Sequence, residues 1–234
     1  MGAVKLYKYL DFNGGLMMLY HSNLQFTNAT QLNDPFDCHP SLIDFSNVPK
    51  EACGGWTPEI IEELRRDPFR RTREEVWICS LSKIHDSILM WSYYSKHKGI
   101  CVGLDMEKAQ KYLSRIYGKI MISCSVVEVQ YKDIVEKPDY FRDAKDFFHY
   151  QLSTKAKAWE HEQEVRLFIL DPWPTYMSLL PRQNDDKGPI DWKEVRAFSE
   201  IGGECFESVY LGINMDTDET VSYTHLRAHE TLAN

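Results

Sequence analysis

The chain has 234 residues, 43% hydrophobic and 13% aromatic, enough apolar material for a folded core and unlike a disordered segment. Its formal net charge of −8 sets the global field against nucleic acid and anionic membranes, so only a local basic patch could bind either. No apolar run approaches the roughly 20 residues a bilayer-crossing helix needs, and Met1-Gly2-Ala3-Val4-Lys5-Leu6 carries neither a secretory core nor, with Leu6 where Ser or Thr is required, a myristoylation signal.

In chain order, Val4–Tyr9 reads as a short strand with Leu6 inward and Tyr7-Lys8-Tyr9 at its end. Gly15–Tyr20 is a short helix and Leu24-Gln25-Phe26 a strand. Asn33-Asp34-Pro35-Phe36-Asp37 is a turn, because Asn and Asp bond their own backbone and Pro sets φ. Residues 46–75 read as an exposed excursion with a polar helix at Ile60–Arg66. Val76–Ser82 is a buried strand ending in Ser80-Leu81-Ser82, followed by a helix carrying Met90, Trp91 and Tyr94. His97-Lys98-Gly99 turns into the buried strand Ile100–Leu104. Ile120–Tyr131 is β-branched and reads as strand, and Asp143–His161 as one long amphipathic helix with Phe147, Phe148, Leu152, Ala156 and Trp159 on one side. A Pro- and Asp-rich loop at 171–191 precedes strands at Val195–Phe198 and Phe206–Leu211. Strands and helices interleave without a βαβ rhythm, so the expected fold is α+β: one domain over residues 1–220, a mixed central sheet flanked by helices.

Six cysteines without a Cys-x-x-Cys pair read as buried thiols of a reducing compartment, which makes the cytoplasm the expected location, and no metal site is assigned. Asp216–Thr220 resembles a helix start, yet Val221–Thr231 resembles translated sequencing-adapter text. Residues 221–234 are therefore expected to be a non-native tail, with the natural protein continuing past Thr220.

The densest chemistry lies in Trp159-Glu160-His161-Glu162-Gln163-Glu164-Val165-Arg166. On a strand, Glu162, Glu164 and Arg166 share one face while Val165, Leu167 and Ile169 take the other. Such a face is either a salt-bridge ladder, with Lys155 or Arg142 nearby, or the polar floor of a cleft.

Four motifs in order, Asn33-Asp34-Pro35-Phe36-Asp37, Ser80-Leu81-Ser82, the Met90-Trp91 to Leu104 helix–turn–strand, and Trp159-x-x-Glu162-x-Glu164-x-Arg166, resemble the bacterial family called domain of unknown function 2971. With the opening Leu6-Tyr7-Lys8-Tyr9 the resemblance spans residues 4–220, and Asp37 stands where that family usually carries Glu. The family supplies a layout but no reaction. Separately, Glu162-x-Glu164 entering a strand is similar to the Glu-x-Glu element of arginine-directed ADP-ribosyltransferases. That resemblance implies an ADP-ribosyltransferase-like fold and NAD as substrate. It makes Glu164 the carboxylate that steadies an oxocarbenium-like transition state and Glu162 the one that orients or deprotonates the acceptor. It also places Ser80 and Ser82 on the cleft floor and Tyr94 against nicotinamide, and makes Tyr7, Lys8, Tyr9 and Arg166 candidate binding residues, although Lys8 stands where those enzymes carry Arg or His. Asn33 and Asp34 are placed at the cleft rim, where a short polar side chain could hold a ribose or phosphate. Trp91 and Trp159 are candidate stacking platforms or core anchors.

Two other functions stay open. One is a non-catalytic binding or sensor module of a stress or phage-defence locus, with the Glu162/Glu164/Arg166 ladder structural. Its nucleic-acid version would use Arg65, Arg66, Arg70, Arg71 and Arg73, although Asp67, Glu74 and Glu75 interleave with them. The other is a metal-dependent nuclease or phosphohydrolase using Asp34, Asp37, Glu162 and Glu164 around a divalent ion.

Overall fold

The computed structural model describes residues 5–47, 57–66, 73–118, 123–170, 196–216 and 218. Strand β1 (Lys5–Leu10) buries Leu6 and Tyr9. Helix α1 (Phe12–His21) starts where the Asp11 carboxylate accepts the Gly14 N–H at 2.6 Å, satisfying one of the orphan donors of a helix start. It stops at Ser22, whose left-handed φ of 47° turns the chain into β2 (Asn23–Asn28). In β2 the alternation is strict: Leu24, Phe26 and Asn28 are buried, while Asn23, Gln25 and Thr27 lie on the opposite, more open face. After helix α2 (Pro58–Arg66) comes β3 (Val76–Ser82), buried along nearly its whole length.

Ser87 caps α3 (Ile88–Ser95) through Met90 N–H, and the left-handed Lys96 and His97 end it. Strand β4 (Ile100–Asp105) is buried throughout. Between Leu104 and Ile120 no element is expected from the sequence, yet α4 (Met106–Gly118) follows β4 directly and buries Met106, Ala109 and Leu113 at helical spacing. Strands β5 (Ser123–Glu128) and β6 (Gln130–Lys132) split the expected strand at Ile120–Tyr131.

The long helix expected over Asp143–His161 does not form. Helix α5 (Phe147–Ser153) is capped by Asp146, and the chain then extends into β7 (Thr154–Ala156), which pairs in parallel with β6. A 3-10 turn at Lys157–Glu162 and a left-handed Gln163 lead into β8 (Glu164–Leu170). The helical spacing of Phe148 and Leu152 is genuine, but pairing with β6 overrides it from Thr154 onward and turns Lys155 into the interior. Strands β9 (Ala197–Glu200) and β10 (Phe206–Leu211) complete the described elements.

The fold is α+β, a central sheet flanked by helices. Eight strands share one sheet with antiparallel ladders, and the parallel pairing sits in the separate β6–β7 ladder. The main core lies on one side of the sheet, where Leu24, Phe26, Leu104, Leu113, Leu167 and Ile169 meet. One topological detail positions the site. Strand β8 covers one edge of β3 from Val76 to Ser82, while the other edge is shared. Strand β2 pairs with its beginning (Thr27 with Ile78, Asn28 with Trp77) and β1 with its end (Tyr7 with Ser82). Among the described residues β1 and β2 share no ladder, so the sheet opens between them, facing Cys79-Ser80-Leu81.

Residues 171–195, with most of the expected loop, lie outside the described residues, as do Cys53, Arg70, Arg71 and the expected tail from Val221. Cys38, Cys79, Cys101, Cys124 and Cys205 are free thiols, and Cys124 is the least buried of them. Among the described residues no helix is long and apolar enough to cross a membrane.

Candidate functional site

The opening between β1 and β2 is a cleft of about 540 Å³. Its walls are Tyr7, Lys8 and Tyr9 from β1, Gln25 and Thr27 from β2, and Tyr94 from α3. Its floor is Ser80 and Ser82 of β3 with Glu162, Glu164 and Lys155 beneath them, and Asn33 stands at the rim. Nine residues expected at the site from sequence therefore share one concavity: Tyr7, Lys8, Tyr9, Asn33, Ser80, Ser82, Tyr94, Glu162 and Glu164.

The floor is a buried ionic network. Arg166, fully buried, gives Nε to Glu164 Oε1 and Nη2 to Glu164 Oε2, both at 2.9 Å. It grips Asp37 through Nη1–Oδ1 at 2.9 Å and Nη2–Oδ2 at 2.6 Å, and Leu152 O accepts from Nη1 at 2.8 Å. Lys155 Nζ meets three carboxylates, Glu162 Oε2 at 2.6 Å, Glu164 Oε2 at 3.2 Å and Asp37 Oδ2 at 3.4 Å. Both cations thus have their donors occupied, as buried charges require. Three carboxylates against two cations leave one net negative charge.

Titration follows from that geometry. Burial alone would raise the Glu164 carboxyl, but the Arg166 guanidinium, Lys155 and a hydrogen bond from Ser80 hold it well below the ordinary carboxylate range. Burial pulls Lys155 down, and Glu164, Asp37 and Glu162 outweigh it and raise it. Tyr94 is raised by burial and by donating its hydroxyl to Glu162 Oε1, while Asn33 Nδ2 donates to the Tyr94 oxygen at 3.3 Å. Burial pushes the Tyr131 phenol, which accepts the Glu164 backbone N–H, up to about 12.

Several expectations change. Glu162 does not share a strand face with Glu164. It ends the 3-10 turn, and the left-handed Gln163 brings both carboxylates onto Lys155 from different elements. The anticipated half-exposed ladder is instead fully buried, and Arg142 faces Asp139 at 3.7 Å, away from it. Arg166 lies behind the floor and does not line the cleft. Asp34 is turned into its own loop, its carboxylate accepting the Phe36 N–H at 2.9 Å. Trp91 packs edge-on against Tyr9 behind the wall and donates Nε1 to His85 O, so it acts as a core anchor. Trp159 lines a separate concavity with Phe36, its ring 4.9 Å from Lys155 Nζ. Of the arginine cluster, Arg73 is spent on Ala29 O and Pro35 O. Asp37, Glu162 and Glu164 do converge, but on Lys155 and Arg166. Among the described residues no group of His, Cys, Asp and Glu is arranged to hold a metal ion.

Lys155, expected beside the ladder, is the hub of the network, and missed from sequence were Gln25, Thr27 and Arg196 on the cleft wall. The alternation of polar Asn23, Gln25 and Thr27 against Leu24 and Phe26 was the available signal for the β2 residues. Arg196 carries no such signal.

The helix–turn–strand after Met90 and the segment through Arg166 decide the family: residues 90–167 match the family model described as Protein of unknown function (DUF2971). The match covers that span alone, about a third of the chain. No curated protein and no solved structure matches it. The DUF2971 span holds Tyr94, Lys155, Glu162, Glu164 and Arg166, whereas Asp37 and the β1–β2 wall come from sequence before it.

Proposed function

We propose that this protein is a small-molecule binding module whose cleft is the opening between β1 and β2, with the buried ionic network as its structural floor. The single observation that carries this is the saturation of Glu164 and Asp37. Glu164 accepts from Arg166 at both oxygens and from Lys155, and Asp37 is paired in the same way. A carboxylate already neutralised by two fixed cations has little left for a developing positive charge in a transition state. Glu162 keeps more capacity, since among the described residues only Tyr94 and Lys155 engage its side chain, so it suits a donor group on a ligand. The free, buried thiols fit a reducing compartment, and the cytoplasm is the proposed location.

ADP-ribosyl transfer from NAD is the second proposal, favoured by one observation: Tyr7, Ser82 and Glu164 line the same cleft. One experiment separates the two. Small polar compounds are screened by thermal shift, and hits are titrated by calorimetry on wild type and on Thr27→Trp, in which an indole fills the cleft. Binding lost in Thr27→Trp, with no nicotinamide released from NAD by wild type, supports the module. Release of nicotinamide that Glu162→Gln or Glu164→Gln abolishes, in a variant of unchanged circular dichroism, overturns it in favour of the enzyme.

A further inference from the structure

The opening between β1 and β2 does not end with the cleft. A second chamber of about 230 Å³ continues it toward α1, lined by Leu10, Asp11, Gly14, Met18 and Phe198 among others. Three residues belong to both chambers: Lys8, Gln25 and Arg196. They form a waist between the larger chamber over β3 and the smaller one beside α1.

The waist holds two cations, Lys8 and Arg196, with no carboxylate in contact among the described residues. Lys8 Nζ gives one bond, to Ser80 O at 2.9 Å on the unpaired edge of β3, and an ammonium has three donors. The Arg196 guanidinium, exposed at the opening, has no hydrogen-bond or carboxylate partner among the described residues, and neither does the Gln25 amide. Among the described residues the carboxylates of the network contact Lys155 and Arg166, and none of them is ion-paired with Lys8 or Arg196. Two like charges at one constriction repel unless a counter-charge joins them. A guanidinium fork beside an ammonium is the pairing that suits a phosphoryl oxyanion.

We propose that the cleft takes an elongated, phosphorylated small molecule, of the nucleoside diphosphate class, whose anionic group sits at the Lys8–Arg196 waist. This rests on the cleft being a ligand site and names the ligand's chemistry. The planar end lies in the larger chamber, where Tyr7 and Tyr94 offer aromatic faces and Glu162 accepts from a ring amine or sugar hydroxyl. The rest of the molecule reaches the smaller chamber beside α1. The binding needs no bond made or broken.

Calorimetric titrations of wild type, Arg196→Gln, Lys8→Met and Thr27→Trp with ADP, adenosine and inorganic diphosphate test this. ADP binds wild type at least about tenfold more tightly than adenosine, and the gap narrows as salt rises. Arg196→Gln and Lys8→Met bring ADP down to the adenosine level without changing adenosine, and diphosphate competes with ADP. Because Arg196 is exposed, Arg196→Gln decides the matter in a folded protein even where Lys8→Met is unstable. Equal affinity for ADP and adenosine, ADP binding untouched by Arg196→Gln, absence of competition by diphosphate, or no ADP binding at millimolar concentration each overturns it. An uncharged ligand that binds wild type and is lost in Thr27→Trp would leave the binding module standing while removing the anion from it.

Discussion

Arg166 clamps Asp37 across 129 positions of sequence, Nη1 to Oδ1 at 2.9 Å and Nη2 to Oδ2 at 2.6 Å, with both side chains buried. This two-point pair ties the Asn33–Asp37 turn to the middle of β8 and so fixes one lip of the cleft against its floor. Removing one member of a buried pair strands the other's charge, which costs far more than the pair contributes net. Asp37→Ala is therefore expected to destabilise the fold by about 3–5 kcal/mol in urea or guanidinium unfolding. A loss under about 1 kcal/mol would mean that water or a neighbour replaces the carboxylate without penalty.

The pH dependence has a definite sign. Glu164 has a folded pKa depressed below its ordinary 4.5, so its contribution is complete above that value and is lost as pH falls toward the folded pKa. Lys155 is raised above 10.5, so its contribution is present below 10.5 and is lost as pH rises through the folded pKa. Denaturation midpoints should form a plateau between these limits and fall on the acid side below about pH 4.5. A midpoint that stays level down to pH 3 would show that Glu164 is not held ionised by its partners.

Tyr94→Phe removes the hydroxyl that links Asn33 at the rim to Glu162 on the floor. The lost bond goes to a charged acceptor, but the cleft admits water, so a modest cost of about 1 kcal/mol is expected. Ligand affinity should change more than stability, because Glu162 gains an open lone pair and the rim loses its tether. Unaltered affinity for a cleft ligand, measured calorimetrically, would place Tyr94 outside the binding machinery.

Two glycines should respond in opposite ways to alanine. At Gly99 a Cβ would come within 2.0 Å of the Leu10 carbonyl oxygen, a backbone atom that cannot swing aside, while at Gly118 nothing lies within 4 Å. Gly99→Ala is expected to cost at least about 1–3 kcal/mol, by displacing the turn that joins α3 to β4 beside β1. Gly118→Ala, at the end of α4, is expected to be neutral or stabilising by up to about 1 kcal/mol. Thermal melts of the two variants would check the contrast, and a Gly99→Ala melt equal to wild type would refute the close approach.

Much of the architecture is written locally. The strand at Leu24-Gln25-Phe26, the buried strand of Ile100–Leu104 and the helix carrying Met90, Trp91 and Tyr94 follow from neighbouring residues, and each stands as expected. So does the turn at Asn33–Asp37, made by Asx bonding within the loop. The break in the long helix at Thr154 was not legible, because what ends it is β6, more than twenty residues earlier in the chain.

The sequence by itself determined which residues are polar on the Trp159–Arg166 segment and that Glu162, Glu164 and Arg166 belong together. It also brought Tyr7, Ser82 and Tyr94 to the same site. Only the tertiary structure decided what those charges do. Spacing counts neighbours along one strand, whereas Lys155 on β7 and Arg166 on β8 together neutralise Glu164 and Asp37, the latter brought in by a distant turn. A buried charge is governed by whatever surrounds it in three dimensions, since the low-dielectric interior tolerates it only with its counter-charges in contact. The same holds for the cationic waist: Lys8 and Arg196 line one opening because β1 and β2 share one edge of β3 without pairing with each other and β9 pairs with β2.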